Sequence, residues 1–176
     1  TNASLTACKK AGVREVMVTA WADDGCECPV STCMFGTVLF AEHMYSMNPD
    51  QEEFKKNLLF YTGMSYETYM KQEEFDIIPE FPEERKTATV TPSKYSFYED
   101  PLCSMFVNHE RAVKEDLTAH YRRLGEYFDA AAGAEVNPVL RATDEFYGAF
   151  GKALSLKWNL GLKLYEAYQG GRKEEI

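Results

Sequence analysis

No run of apolar residues in this chain approaches the length of a membrane span, and nothing in it has the layout of a secretion signal. The expectation is therefore a protein without membrane contact and of cytoplasmic location. Basic residues are in deficit. Lys and Arg number 19 against 28 Asp and Glu, a net charge of −9. That balance argues against nucleic acid as a partner, because binding a phosphate backbone requires clustered cations. The few basic pairs, Lys9-Lys10 and Arg122-Arg123, fall on helical faces that meet solvent. Internal repeats and low-complexity stretches are missing too. An initiator methionine is absent, and the chain opens in a helix. The expectation is a fragment or a processed form, so the missing signal says little about a parent protein.

Histidine is scarce as well. His43, His109 and His120 read as a helix-face residue, a loop-end residue and a mid-helix residue. None has a partner acid close by in sequence, so none is assigned a catalytic role. Cysteine occurs as an odd set of five, Cys8, Cys26, Cys28, Cys33 and Cys103. An odd set fits reduced thiols better than a disulfide framework. Cys26, Cys28 and Cys33 crowd one loop, but zinc sites usually pair Cys-x-x-Cys with a second pair further on. No histidine precedes His43 to complete such a set. The reading is small residues lining a loop, with no metal and no organic cofactor.

What is present is a core. Aromatics make up 14% of 176 residues, enough to oppose disorder and to fill one domain. Residues 3–11 read as a short amphipathic helix stopped by Gly12. Val16 to Trp21 is a near-continuous apolar run rich in β-formers, the pattern of a strand buried on both faces. An acidic loop follows, then a helix over residues 36–46. Helix, strand, helix is one turn of a β/α repeat, and a lone strand needs neighbours that this chain does not supply.

Asn48-Pro49-Asp50-Gln51 then reads as a helix start, with Asn48 capping, and the helix runs to Gly63. Ser65 caps a further short helix. Residues 76–107 contain Pro79, Pro82, Pro92 and Pro101 and little periodicity. The aromatics of this long loop argue that it is packed down, across another surface of the parent. Two long helices close the chain, near 110–132 and near 139–168. The second has one stripe through Tyr147, Phe150, Leu154 and Trp158, and another through Phe146, Ala149, Ala153, Leu156 and Leu160. A helix apolar on two faces is expected to be central. Gly148, Gly151 and Gly161 each cost about 1 kcal/mol against Ala, so a close neighbour should offset them.

The richest segment is residues 13–29, where the apolar run leads into Trp21, Asp23, Asp24 and Glu27. In a β/α barrel, substrate sits at the carboxyl ends of strands. An aromatic plate beside hydrogen-bond acceptors suits a sugar, which has an apolar ring face and a rim of hydroxyls.

Three segments together resemble a known family. They are Ala11-Gly12-Val13-Arg14-Glu15-Val16 leading to Thr19-Ala20-Trp21-Ala22-Asp23-Asp24-Gly25 with Glu27; Ser93-Lys94-Tyr95 with Tyr98-Glu99-Asp100-Pro101-Leu102; and Leu154-Ser155-Leu156-Lys157-Trp158-Asn159-Leu160-Gly161. In this order and at these separations the chain resembles the C-terminal third of glycoside hydrolase family 20, the bacterial exo-β-N-acetylhexosaminidases with an all-helical C-terminal domain. The fold so implied is mainly α. Residues 1–47 would be the last strand and flanking helices of a (β/α)8 barrel, and residues 48–176 a helical C-terminal domain.

The resemblance also implies roles. The tryptophan ending the last barrel strand lines the pocket of the terminal sugar, and an acid two positions later accepts hydrogen bonds from its distal hydroxyls. Trp21 and Asp23 match that spacing, although many family members carry Glu where this chain has Asp23. Asp24 and Glu27 complete the substrate-binding set. The partner implied is a terminal β-linked N-acetylglucosamine or N-acetylgalactosamine, bound by the full-length parent. Such enzymes hydrolyse by substrate assistance: the acetamido oxygen attacks the anomeric carbon while a strand-borne Asp-Glu pair positions it and protonates the leaving oxygen. That pair would precede everything seen here, so no catalytic residue is assigned and the chain alone is expected to be inactive. Two other readings stay open. One is a stand-alone helical interaction module, with Trp21 buried; the other is a small zinc protein using the cysteine loop. An orphan apolar strand also predicts a homo-oligomer of the isolated chain.

Overall fold

The computed structural model describes residues 1–20, 29–79, 81, 91–103 and 105–176, and among them the regular elements are helices. They are α1 (Asn2–Lys10), α2 (Cys33–Tyr45), α3 (Gln51–Thr62), α4 (Tyr66–Glu73), α5 (Pro92–Tyr98), α6 (Val107–Ala112), α7 (Thr118–Ala134), α8 (Pro138–Lys157) and α9 (Leu160–Gln169). The mainly helical expectation holds.

Local chemistry sets the helix ends. Gly12, at φ +73°, and Gly63, at φ +77°, adopt the left-handed conformation that closes a helix C-terminus. Ser65 caps α4 by accepting the Thr68 N–H at 3.1 Å. At the start of α3 the structure corrects the sequence reading: the cap is Asp50, whose carboxylate accepts the Glu53 N–H at 2.9 Å, and not Asn48. Aspartate also complements the positive end of the helix dipole, which the neutral Asn48 does not.

Helices α7 and α8 form an antiparallel hairpin that organises the rest. Tyr121, Leu124 and Phe128 of α7 meet Tyr147, Leu154 and the following Trp158. Phe75, Ile78, Phe81, Tyr95, Val113 and Leu117 complete this larger core. Of the Pro-containing segment, Ile78, Phe81 and Tyr95 pack on the chain's own hairpin, and residues 92–98 form a helix, α5, that begins with Pro92. A second core joins α2, α3 and α4 through Val38, Phe54, Leu58 and Tyr69, with Leu140 of α8 closing it. Each fully buried side chain of this size contributes about 1.5–3 kcal/mol over its exposed state.

Both predicted long helices are interrupted. The first is α6 and α7, separated by residues 113–117, with Val113 and Leu117 still in the core. Asp116 restarts the helix by accepting the Thr118 N–H at 2.9 Å. The second breaks at Asn159, which adopts φ +53° and turns α9 away from α8. Asparagine tolerates that conformation better than most residues, and apolar periodicity alone does not register it. The second stripe of α8 also fails to find a neighbour. Leu156 is 79% exposed, and Ala149 and Ala153 are exposed with it.

The apolar run after Gly12 forms no strand among the described residues. No backbone hydrogen bond joins residues 14–18 to another described residue, and Val16, Met17 and Val18 are exposed. The physical reason is the one the pattern implied: a strand is stable only when neighbours take up its backbone groups.

Candidate functional site

Trp21, Asp23, Asp24 and Glu27 lie outside the described residues, as do Cys26 and Cys28. The structure defines the two flanks of their loop. On the entry side runs segment 14–18, whose backbone pairs with no other described residue. On the exit side Pro29 opens a short 3-10 turn over Val30–Thr32. There the Ser31 hydroxyl lies 2.8 Å from that of Thr143 in α8, so the loop's exit is tied to the helical hairpin. Thr143 in turn donates to the Val139 carbonyl at 3.1 Å, which leaves its oxygen to accept from Ser31.

Beneath the entry flank lies a cavity of about 310 Å³, lined by Leu5, Val13, Val16, Phe40, His43 and Met44 among others. His43 is 4% exposed. Its Nδ1 accepts from the Lys9 ammonium at 3.0 Å, and its Nε2 donates to Asn2 Oδ1 at 2.8 Å. Lys9 also donates to the Ser46 carbonyl. Burial, the Lys9 charge and the N-terminal ammonium all lower the His43 pKa. Its ring is therefore neutral and holds α1 on α2. Both nitrogens are engaged, so it has no free base to offer, in keeping with the structural role read from sequence.

The other two motif segments meet each other. Tyr95 of α5 lies 6.3 Å, ring centre to ring centre, from Trp158. The Lys157 ammonium donates to the Phe97 carbonyl and sits 5.8 Å from the Phe97 ring. Glu99, at the end of α5, rests on Gly161: a Cβ there would lie 2.6 Å from the Glu99 carboxyl carbon. This is the close neighbour that the glycine was expected to have. Glu110 of α6 joins them, and its Oε2 accepts the Leu162 N–H at 2.9 Å.

Sequence reading missed the buried acids. Glu99 is 3% exposed and Glu110 1%. Burial and the adjoining Glu99 push the Glu110 carboxyl up to about 7. Asp144, 3% exposed, is pushed up to about 6 by burial and by the charge of Glu135. Burial also raises Asp76, although the Ser93 N–H at 3.0 Å opposes the shift. Glu99 was visible within a motif. Glu110 and Asp144 carry no signal, because acids on helices ordinarily face water. Both carboxyls of the Glu99–Glu110 pair are buried against the first turn of α9 and belong to the framework.

Among the described residues, no group of three or more His, Cys, Asp or Glu side chains could hold a metal ion. Cys33 and Cys103 are exposed thiols, and Cys8 is half-buried.

Comparison with known proteins then decides the family. The model described as the Glycoside Hydrolase 20C C-terminal domain matches residues 67–176. The chain belongs to that family. The match takes in the two converging motif segments and the whole α7–α8 hairpin, while the Trp21 loop lies before it. No curated protein and no solved structure matches the chain. Within this family 20C domain, the enclosed carboxylates and close glycines belong to the helical framework, and Ser31, which follows the loop, is tied to that framework through Thr143. Among the described residues, no helix is long and apolar enough to cross a membrane.

Proposed function

We propose that this chain is the C-terminal portion of a β-N-acetylhexosaminidase, which removes terminal non-reducing β-linked N-acetylhexosamine by substrate-assisted catalysis. Residues 1–47 are the last β/α unit of its barrel, and residues 48–176 the helical domain that buttresses it. Trp21 stacks on the terminal sugar ring, Asp23 accepts from its distal hydroxyls, and Asp24 and Glu27 border the same pocket. The catalytic Asp-Glu pair belongs to an earlier strand of the parent, so the chain binds but does not turn over.

The observation that carries this reading is the family match over residues 67–176, preceded by an extended apolar segment that ends in Trp-x-Asp. Two features support the barrel part. Among the described residues, nothing pairs with the backbone of residues 14–18, and their apolar side chains are exposed, as a strand parted from its sheet must be. The second stripe of α8, exposed at Leu156, offers a face for a missing neighbour.

The test compares the 176-residue chain with the product of the full reading frame on a chromogenic N-acetylhexosaminide. Turnover by the parent and none by the chain is expected. Turnover by the chain alone contradicts the placement of the acid. An inactive parent lacking an upstream Asp-Glu pair contradicts the assignment.

A further inference from the structure

We propose that Glu99 and Glu110 form a one-proton latch that fastens the C-terminal helix α9 to the segment joining α5 and α6, and that loss of the shared proton releases this helix. Both carboxyl groups sit on the first turn of α9, Glu99 over Gly161 and Glu110 on the Leu162 N–H. Glu110 here does the work of a helix cap. Asn159, which occupies the cap position itself, is turned to φ +53° and makes no side-chain cap bond.

The geometry demands a proton. Glu110 Oε1 is sealed from solvent, and no N–H or hydroxyl donor among the described residues reaches it. The Glu99 carboxyl adjoins Glu110, because both rest on Gly161 and Leu162 at the start of α9, and its Oε1 accepts the Phe106 N–H at 3.2 Å. Two carboxylates at contact cannot both ionise cheaply, and one helix N-terminus offsets only about half a charge. A single proton between the two satisfies both groups. When it leaves to bulk water, the enclosed pair acquires a second negative charge, and no ion pair to either carboxyl exists among the described residues.

The surrounding charges are engaged elsewhere. On the α5 side, Asp100 accepts the Leu102 N–H at 3.0 Å, and Lys157 of α8 is held at the Phe97 carbonyl. On α6, His109 lies against the rings of Tyr95 and Phe106, and Arg111 pairs with Glu166 at 3.5 Å. On α9, Lys163 acts on Asp116. Apart from the Arg111 contacts to Glu166 and Tyr165, α9 is held by two small buried residues, Gly161 and Ala167, and by the half-buried Leu162, Leu164 and Tyr165. An element with so small an apolar anchor opens before the core does.

The test is amide hydrogen exchange across residues 160–169 of the full 176-residue chain, referenced to α7 and corrected for intrinsic rates, at about pH 6 and about pH 8.5. The latch predicts that α9 protection falls by about tenfold or more relative to α7 as the pH rises. Glu110→Gln keeps an acceptor for Leu162 and a donor for Glu99, so it should retain protection at the higher pH. Glu99→Gln, which neutralises the other half, should do the same. Protection in the unaltered chain that does not change with pH overturns the latch, as does parallel loss in both variants.

Discussion

Gly151 of α8 stands directly against Gly125 of α7. A Cβ on Gly151 would fall 2.6 Å from the Gly125 nitrogen and 2.9 Å from the Tyr121 carbonyl oxygen, both backbone atoms that cannot move aside. The hairpin owes its close approach to this pair. Gly151→Ala should therefore destabilise the domain by about 1–3 kcal/mol, the usual cost of overpacking. Gly133→Ala, on the same hairpin but with nothing within 4 Å of the new Cβ, should be neutral or stabilising by up to about 1 kcal/mol. Urea denaturation of the two variants measures the difference. Equal stabilisation by both substitutions would show that helix propensity, and not interhelical contact, governs both sites.

Acid should stabilise the fold through its buried carboxyls. Glu110 and Asp144 have folded-state values raised to about 7 and about 6. A raised group contributes stability that is complete below its unfolded value, about 4, and is lost as pH rises through the folded value. Between about pH 5 and about pH 8, melting temperature should decline in the unaltered chain and decline less in Glu110→Gln. A contribution on the order of 1 kcal/mol corresponds to roughly 2–4 °C for a chain of this size. His43 works in the opposite sense. Its lowered pKa means that the unfolded chain takes up a proton first, near 6.5, so acidification below that point costs stability. Subtracting the Glu110→Gln profile from that of the unaltered chain separates the two. Superimposable profiles would contradict the carboxyl assignment.

The isolated chain should self-associate. Met17 is 84% exposed, with Val16 and Val18 beside it, and residues 14–18 have no backbone partner among the described residues. Sedimentation velocity should show a concentration-dependent increase in mass, weakened by Met17→Lys, because an edge lysine blunts strand pairing. A monomer at every concentration, or a Met17→Lys variant that associates as before, would place the association surface elsewhere.

Much of the framework was legible in the sequence because its signals were local. Gly12, Gly63 and Ser65 marked helix ends through their own conformational or capping chemistry. The stripe through Tyr147, Leu154 and Trp158 fixed the buried face of α8. What stayed hidden depended on partners distant in the chain. The turn at Asn159 hides inside an unbroken apolar rhythm. The capping of α9 by Glu110 joins residues 52 positions apart. The packing of Ile78, Phe81 and Tyr95 onto the hairpin likewise required the hairpin to be in place. At the candidate site, Trp21, Asp23, Asp24 and Glu27 were chosen from a strand-to-loop pattern and a family resemblance. The structure contributes the exposed approach to their loop and its Ser31–Thr143 anchor.

The most direct test is steady-state hydrolysis of a chromogenic N-acetylhexosaminide by the full-length parent carrying Trp21→Ala. Loss of one sugar-stacking contact should reduce kcat/KM by about 10–100-fold, with the melting temperature unchanged. A variant that keeps both its kcat/KM and its melting temperature contradicts the account, because the indole would then have no part in holding the sugar.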